Sequence, residues 1–410
     1  MGGAFGRSAK IGDIEVLRAV AALFVIFHHL SGNLIVWRSH ALERIEEHFQ
    51  LWIGVDLFFA ISGFVIARGL LPSLAATKGA GEARRTVLAF WVRRAFRLFP
   101  AAWLWLSVSL LACAFFNNSG AFGDLRENVW ATLAGVFDYA NFRFADKFAH
   151  GSYYGVSFVY WSLSLEEQFY LLLPLLALLF RRWLWIPLTL LVLAQFSTMR
   201  GPLLMSLRID AVCLGVLIAI WSFRPSYRAV ARWFSGHRRV ARAALVLTLL
   251  GCATALASSP LQFFRYRIGL IALCCAALAL LASFDCDYIC PPGAFKRAMV
   301  WIGARSYGLY LIHIPVYFAT RELWFRLTPP GPLGFDASYT LRFYATAAPL
   351  LFLLAALSYR YYETPLRAYG ARLAERLRGR SSADHHRALH PAPGVVVAMD
   401  DVRPDVADVR

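Results

Sequence analysis

Apolar stretches long enough to cross a hydrocarbon core of about 30 Å recur along most of the chain. They fall near 14–34, 52–70, 98–116, 163–180, 184–198, 205–223, 243–259, 266–284, 304–320 and 341–359. In lipid each backbone N–H and C=O must be paired inside its own segment, so runs of this length fold as helices. The expected fold is an all-α integral membrane protein, a polytopic bundle of about ten transmembrane helices. The fifth run is short and holds Pro187. With 59% of its 410 residues hydrophobic, the chain is too apolar for an ordinary water-soluble core.

Charge gives the orientation. The connections Arg68 to Arg97, Arg181-Arg182, Arg224 to Arg242 and Arg360 to Arg380 are basic, and with ten spans they share one side with both termini. The positive-inside rule makes that side cytoplasmic. The long opposite connection, Asn117 to Tyr160, carries Asp124, Glu127, Asp138 and Asp146 and is expected outside. Arg7 and Lys10 precede the first apolar run, but no small-residue cleavage site follows Leu30, so that run reads as a retained span. Beyond Arg380 the chain turns polar and loses periodicity, which predicts a disordered tail. The formal charge of +17 comes without a nucleic-acid-binding motif, so nucleic acid is not an expected partner. The seven cysteines are scattered and odd in number, and Cys286 and Cys290 lack the partner thiols or histidines of a zinc site. No metal is expected.

Ionisable residues within spans mark function, because a charge near the bilayer centre costs roughly 2.5–3.5 kcal/mol or more. Arg18 and His29 lie eleven residues apart on the first run, which returns them to one helix face about 16 Å apart along the axis. His28 points about 80° away. Two readings stand for this pair: a functional stripe, or an arginine snorkelling to lipid phosphate and a histidine bonded to a neighbouring helix. Arg94 and Arg97 share a face at the entry to the third span, Arg93 being turned by about 100°. Planar guanidinium groups suit phosphate, so with Arg18 they fit an anionic donor, or else they anchor the cytoplasmic end. Ser164 and Glu167 have capping-box spacing, which Glu166 does not share. Asp56 opens the second span, where an acid also suits the helix dipole. Arg208, Asp210 and His313 are further candidates, with interhelical polar contacts as the plain alternative.

Seven stretches in order are similar to the membrane-bound acyltransferase-3 family, the O-acyltransferases of bacterial surface polysaccharides. They are Ile14 to His29, Gly54 to Gly63, Arg93 to Pro100, Trp161 to Tyr170, Arg208 to Gly215, Ser306 to Pro315 and Tyr361 to Pro365. The family's Arg-x10-His pattern falls on Arg18 and His29, and its Arg-x-x-Arg pattern on Arg94 and Arg97. The frequent Asp-Gly-Leu-Arg opening is replaced by Glu15-Val-Leu-Arg18, resembling more loosely the exopolysaccharide-acetylating branch. The resemblance covers about residues 11–367, dividing the chain into a transmembrane acyltransferase domain at 1–367 and a basic, then disordered, cytoplasmic tail at 368–410.

The resemblance implies a multi-pass enzyme of the bacterial inner membrane. It would move an acyl group, most often acetyl, from cytoplasmic acyl-CoA to a hydroxyl of an extracytoplasmic or lipid-linked carbohydrate, with no tightly bound cofactor. Arg18, Arg94 and Arg97 would hold the donor. His29 would act as general base on the acceptor hydroxyl, with Glu166 or Asp56 tuning or orienting the acceptor side, and Glu167, Arg208, Asp210 and His313 supporting. The alternative is a transporter or flippase of a glycolipid or acylated precursor, although the paired interrupted helices of repeated halves are not seen. The oligomeric state has no signature in the sequence.

Overall fold

The computed structural model describes residues 11–37, 40–236, 238–331 and 334–379. The first helix, α1 (Gly12–His28), ends six residues short of the apolar run expected to reach 34. The reason is local: Gly32 takes φ +75°, and the Asn33 side-chain amide donates to the His29 carbonyl at 3.0 Å. That hydrogen bond satisfies a carbonyl the helix leaves open. His29 thus sits at the C-cap of α1 rather than inside a continuing span.

A short helix, α2 (His40–His48), leads to α3 (Gly54–Ala75). The next helix, α4 (Ala80–Phe115), has 36 residues and begins far before the expected position 98. At 1.5 Å per residue it is about 54 Å long, well beyond the hydrocarbon thickness. Arg84 to Arg93, expected in the basic connection, are therefore helical and continuous with the expected helix entry at Arg94 and Arg97. The outer connection also folds, into α5 (Leu125–Val136) and α6 (Ala140–Ala149). Asp124 caps α5 by accepting from the Glu127 N–H at 2.9 Å.

Next come α7 (Tyr160–Phe180), α8 (Trp185–Phe196), α9 (Pro202–Ser206) and α10 (Asp210–Trp221). The capping box at Ser164 and Glu167 does not form, because α7 starts four residues earlier. The Ser164 hydroxyl instead accepts from the Ala140 N–H at 3.2 Å. The sixth expected span is broken between α9 and α10, with Arg208 at the break.

The remaining helices are α11 (Pro225–Ser235), α12 (Arg239–Leu256), α13 (Arg267–Ser283), α14 (Ala294–Ala304), α15 (Ser306–Leu327), α16 (Thr340–Leu357) and α17 (Thr364–Leu377). A π-helical turn, Ser358–Glu363, joins the last two. Helix α17 crosses the expected boundary at 367, whereas the tail from 380 onward lies outside the described residues.

The fold is all-helical among the described residues, with only the isolated bridges Ser31 to Ile35 and Gly331 to Gly334. Five helical segments there are long and apolar enough to cross a membrane, starting at Leu51, Ala80, Tyr160, Pro202 and Ala337. Trp185–Phe196, Val240–Leu256 and Arg267–Ser283 are shorter apolar helices. The chain is accordingly a membrane protein.

Small residues set the tightest crossing. A Cβ on Gly63 would lie 2.1 Å from the Val212 carbonyl oxygen, and one on Gly215 would lie 2.2 Å from that of Ala60. Helices α3 and α10 thus meet backbone to backbone, as membrane helices do where glycine permits it.

Candidate functional site

Five helices converge on a void of about 720 Å³, including its mouth, with α3 supplying Phe58, Ser62 and Val65 to its wall. Helix α1 brings Arg18, α4 brings Arg94 and Arg97, α7 brings Glu166 and Tyr170, and α15 brings Tyr310. The Tyr170 hydroxyl donates to a Glu166 carboxylate oxygen. Arg18 is 3.5 Å from Glu15 on its own helix. The Arg94 guanidinium lies 5.7 Å from the Phe90 ring centroid and 5.6 Å from that of Tyr170, held between aromatic faces that favour a cation. The void therefore has a cationic end, and the structure places Glu166 there.

Arg94 and Arg97 also border a second void of about 1020 Å³, where Arg93, Arg367 and Arg378 join them. Arg367 donates to Glu363 at 2.6 Å. Helix α17 comes close to α4 because Gly370 meets Phe96, whose Cβ would stand 2.3 Å from an added methyl group. Sequence reasoning missed Arg367 and Arg378. They are eleven residues apart, the same one-face spacing as Arg18 and His29, and that spacing was the available signal.

At the far end of α1, His29 Nδ1 is 3.1 Å from His313 Nε2, with the rings stacked at 5.2 Å. The other nitrogen of His313, Nδ1, is 2.7 Å from the Tyr310 carbonyl oxygen. A carbonyl only accepts, so His313 Nδ1 carries the proton, and in the neutral ring Nε2 is the acceptor. His29 then donates through Nδ1 and keeps its lone pair on Nε2. His29 is partly exposed, whereas His313 is fully buried. The edge of Phe158, from the outer connection, packs 5.3 Å from the His29 ring.

The two regions meet at Tyr310, which borders the cationic void and supplies the carbonyl that orients His313. Tyr310 was not singled out from the sequence, although its i, i+3 spacing to His313 puts both on one helix face.

Asp56, Arg208 and Asp210 stand elsewhere. Arg208 donates to both Asp56 oxygens, at 2.9 and 3.2 Å, with Asp56 fully buried. The same guanidinium lies 5.2 Å from the Trp52 ring and 4.6 Å from that of Trp161. Asp210 accepts from Arg200 at 2.6 Å. The Arg208–Asp56 pair fastens the break between α9 and α10 to α3, and the Asp210–Arg200 pair ties the start of α10 to the segment before α9. Glu167 shares a hydrogen bond with Asp138 of the outer connection, and burial pushes the Asp138 carboxyl up to about 6. All seven cysteines are free thiols.

No solved structure matches the chain. Among curated proteins it is 28% identical to the peptidoglycan O-acetyltransferase OatA of Listeria monocytogenes, across 88% of this chain and 56% of that protein. It is 27% identical to the putative peptidoglycan O-acetyltransferase YrhL of Bacillus subtilis, again across 88% and 56%. A putative O-acetyltransferase of Staphylococcus aureus is 24% identical across 89% of this chain and 59% of its own. The chain thus spans little more than half the length of these relatives. Residues 11–362 match the Acyltransferase domain family, a stretch that holds Arg18, His29, Arg94, Arg97, Glu166, Tyr310 and His313, and the chain belongs to that family.

Proposed function

We propose that the chain is an O-acyltransferase that moves an acetyl group from acyl-CoA on its basic side to a carbohydrate hydroxyl on the opposite side. Multi-pass insertion in a bacterial inner membrane, with about ten spans and both termini cytoplasmic, fits the charge of the loops. The likeness to two peptidoglycan O-acetyltransferases, one of them putative, favours peptidoglycan as the carbohydrate. The observation that carries the reading is the double position of Tyr310, between the arginine-lined void and the histidine pair.

In this reading Arg18, Arg94 and Arg97, with Arg367 and Arg378 behind them, hold the donor phosphates by charge-assisted hydrogen bonds. The thioester arm runs through the void past Tyr310 toward His29. His29 Nε2 takes the proton of the acceptor hydroxyl as its oxygen attacks the thioester carbonyl carbon. The new C–O bond forms, the C–S bond breaks, and the imidazolium returns its proton to the departing thiolate, giving ester and free CoA thiol. His313 keeps His29 in the tautomer that leaves Nε2 basic.

Purified full-length protein given labelled acetyl-CoA and a peptidoglycan fragment tests this. The expected result is label on the glycan and stoichiometric thiol release, both lost in folded His29→Ala. Movement of a glycan across the membrane without thiol release would replace the enzyme reading with transport.

A further inference from the structure

A separate groove of about 2370 Å³, including its open mouth, lies where the ends of α3, α7 and α10 meet the start of α4. Its rim holds Lys78, Arg84, Arg181, Arg182 and Arg224, and no Asp or Glu lines it. Its walls are apolar and partly exposed, with Leu88 at 40%, Leu175 at 49% and Leu178 at 37%.

Some arginines elsewhere in the chain are neutralised by a close carboxylate. Arg143, Arg200, Arg208, Arg326 and Arg367 each meet a carboxylate within 2.9 Å. Among the described residues none of the five rim cations has an ion-pair partner. The nearby Glu82 accepts from the Lys78 backbone N–H and does not line the groove. A cluster of uncompensated cations above an apolar slot at the basic end of a bundle has the chemistry of an anionic lipid site, phosphate on the rim and acyl chains against the walls.

We infer that this groove binds an anionic phospholipid of the surrounding bilayer, at a site distinct from the arginine-lined donor void. Lipid there would bridge the loop before α4 and the turn after α7, two segments that meet across the groove.

The test embeds the full-length protein in phosphatidylcholine bilayers containing a minor share of phosphatidylglycerol, then counts retained lipids by native mass spectrometry. Wild type is expected to retain phosphatidylglycerol in preference. Replacing three rim arginines, Arg181→Gln, Arg182→Gln and Arg224→Gln, should lower retention roughly a hundredfold, at about a factor of five per charge. The same number of charges removed outside the groove, Arg228→Gln, Arg372→Gln and Arg376→Gln, should leave it unchanged. Leu178→Trp, which fills the slot and keeps the charge, should displace the lipid. Equal loss in the two triple variants, retention in Leu178→Trp, or displacement by soluble glycerol phosphate would each overturn the lipid site.

Discussion

His29 and His313 come from helices 284 positions apart in sequence and meet nitrogen to nitrogen at 3.1 Å. The Tyr310 carbonyl takes the only proton a neutral His313 ring carries, so the direction of the contact is fixed. His29 is the donor within the pair, and its second nitrogen faces outward from the contact with a lone pair to use.

Replacing either ring should therefore have unequal effects. His29→Ala is expected to lower acetyl transfer by about 10²–10⁴-fold, the range of a lost general base. His313→Phe leaves His29 in place but unoriented. It should lower kcat by a smaller factor and shift the pH–rate profile, with KM for acetyl-CoA unaltered. A shift in KM alone would assign His313 to donor binding.

The arginines should show the opposite pattern. Arg94→Ala, Arg97→Ala and Arg367→Ala each remove a cation bordering the second, arginine-rich void. Each should raise KM for acetyl-CoA by roughly tenfold or more, the worth of a charged hydrogen bond. Steady-state kinetics over a range of donor concentration reads this directly, and unchanged donor dependence excludes the residue from the site.

Asp56→Ala should damage the fold before the chemistry. It strands a buried Arg208 between Trp52 and Trp161, at a cost of about 3–5 kcal/mol for a broken buried pair. Thermal unfolding in detergent should show a clear loss, partly recovered when Arg208→Met is added. Normal stability with lost turnover would instead give Asp56 a direct part in the reaction.

The outer connection should loosen as pH rises. Burial lifts the folded-state Asp138 carboxyl from 3.8 to about 6, so between those values the folded form holds more proton than the unfolded one. Stability contributed by this group falls as pH increases through that window and is lowest above it. Limited proteolysis within 117–160 at pH 4.5 and 7 should show more cleavage at the higher pH, and Asp138→Asn should flatten the difference.

Much of the architecture was readable because apolar length is a local property: α3, α7, α13 and α16 lie close to their expected runs. Helix α4 was not, since arginines interrupt the apolar run of its first half, yet Ala83, Val87 and Phe90 keep a buried stripe at helical spacing and the helix continues into the span without a break. Equal spacing placed Arg94 and Arg97 together, and the structure keeps them so. Asp56 and Arg208 are 152 positions apart. No periodicity connects such a pair, and the same holds for His29 and His313.

Helix α15 has a bearing on how tolerant this protein is to change. The group that orients His313 is a main-chain oxygen, so Tyr310→Phe would leave that contact intact. Inserting one residue between 310 and 313 would turn the imidazole by about 100° and pull it away from α1. The basicity available to His29 is thus indexed by helical register, which makes this turn of α15 robust to substitution and fragile to length.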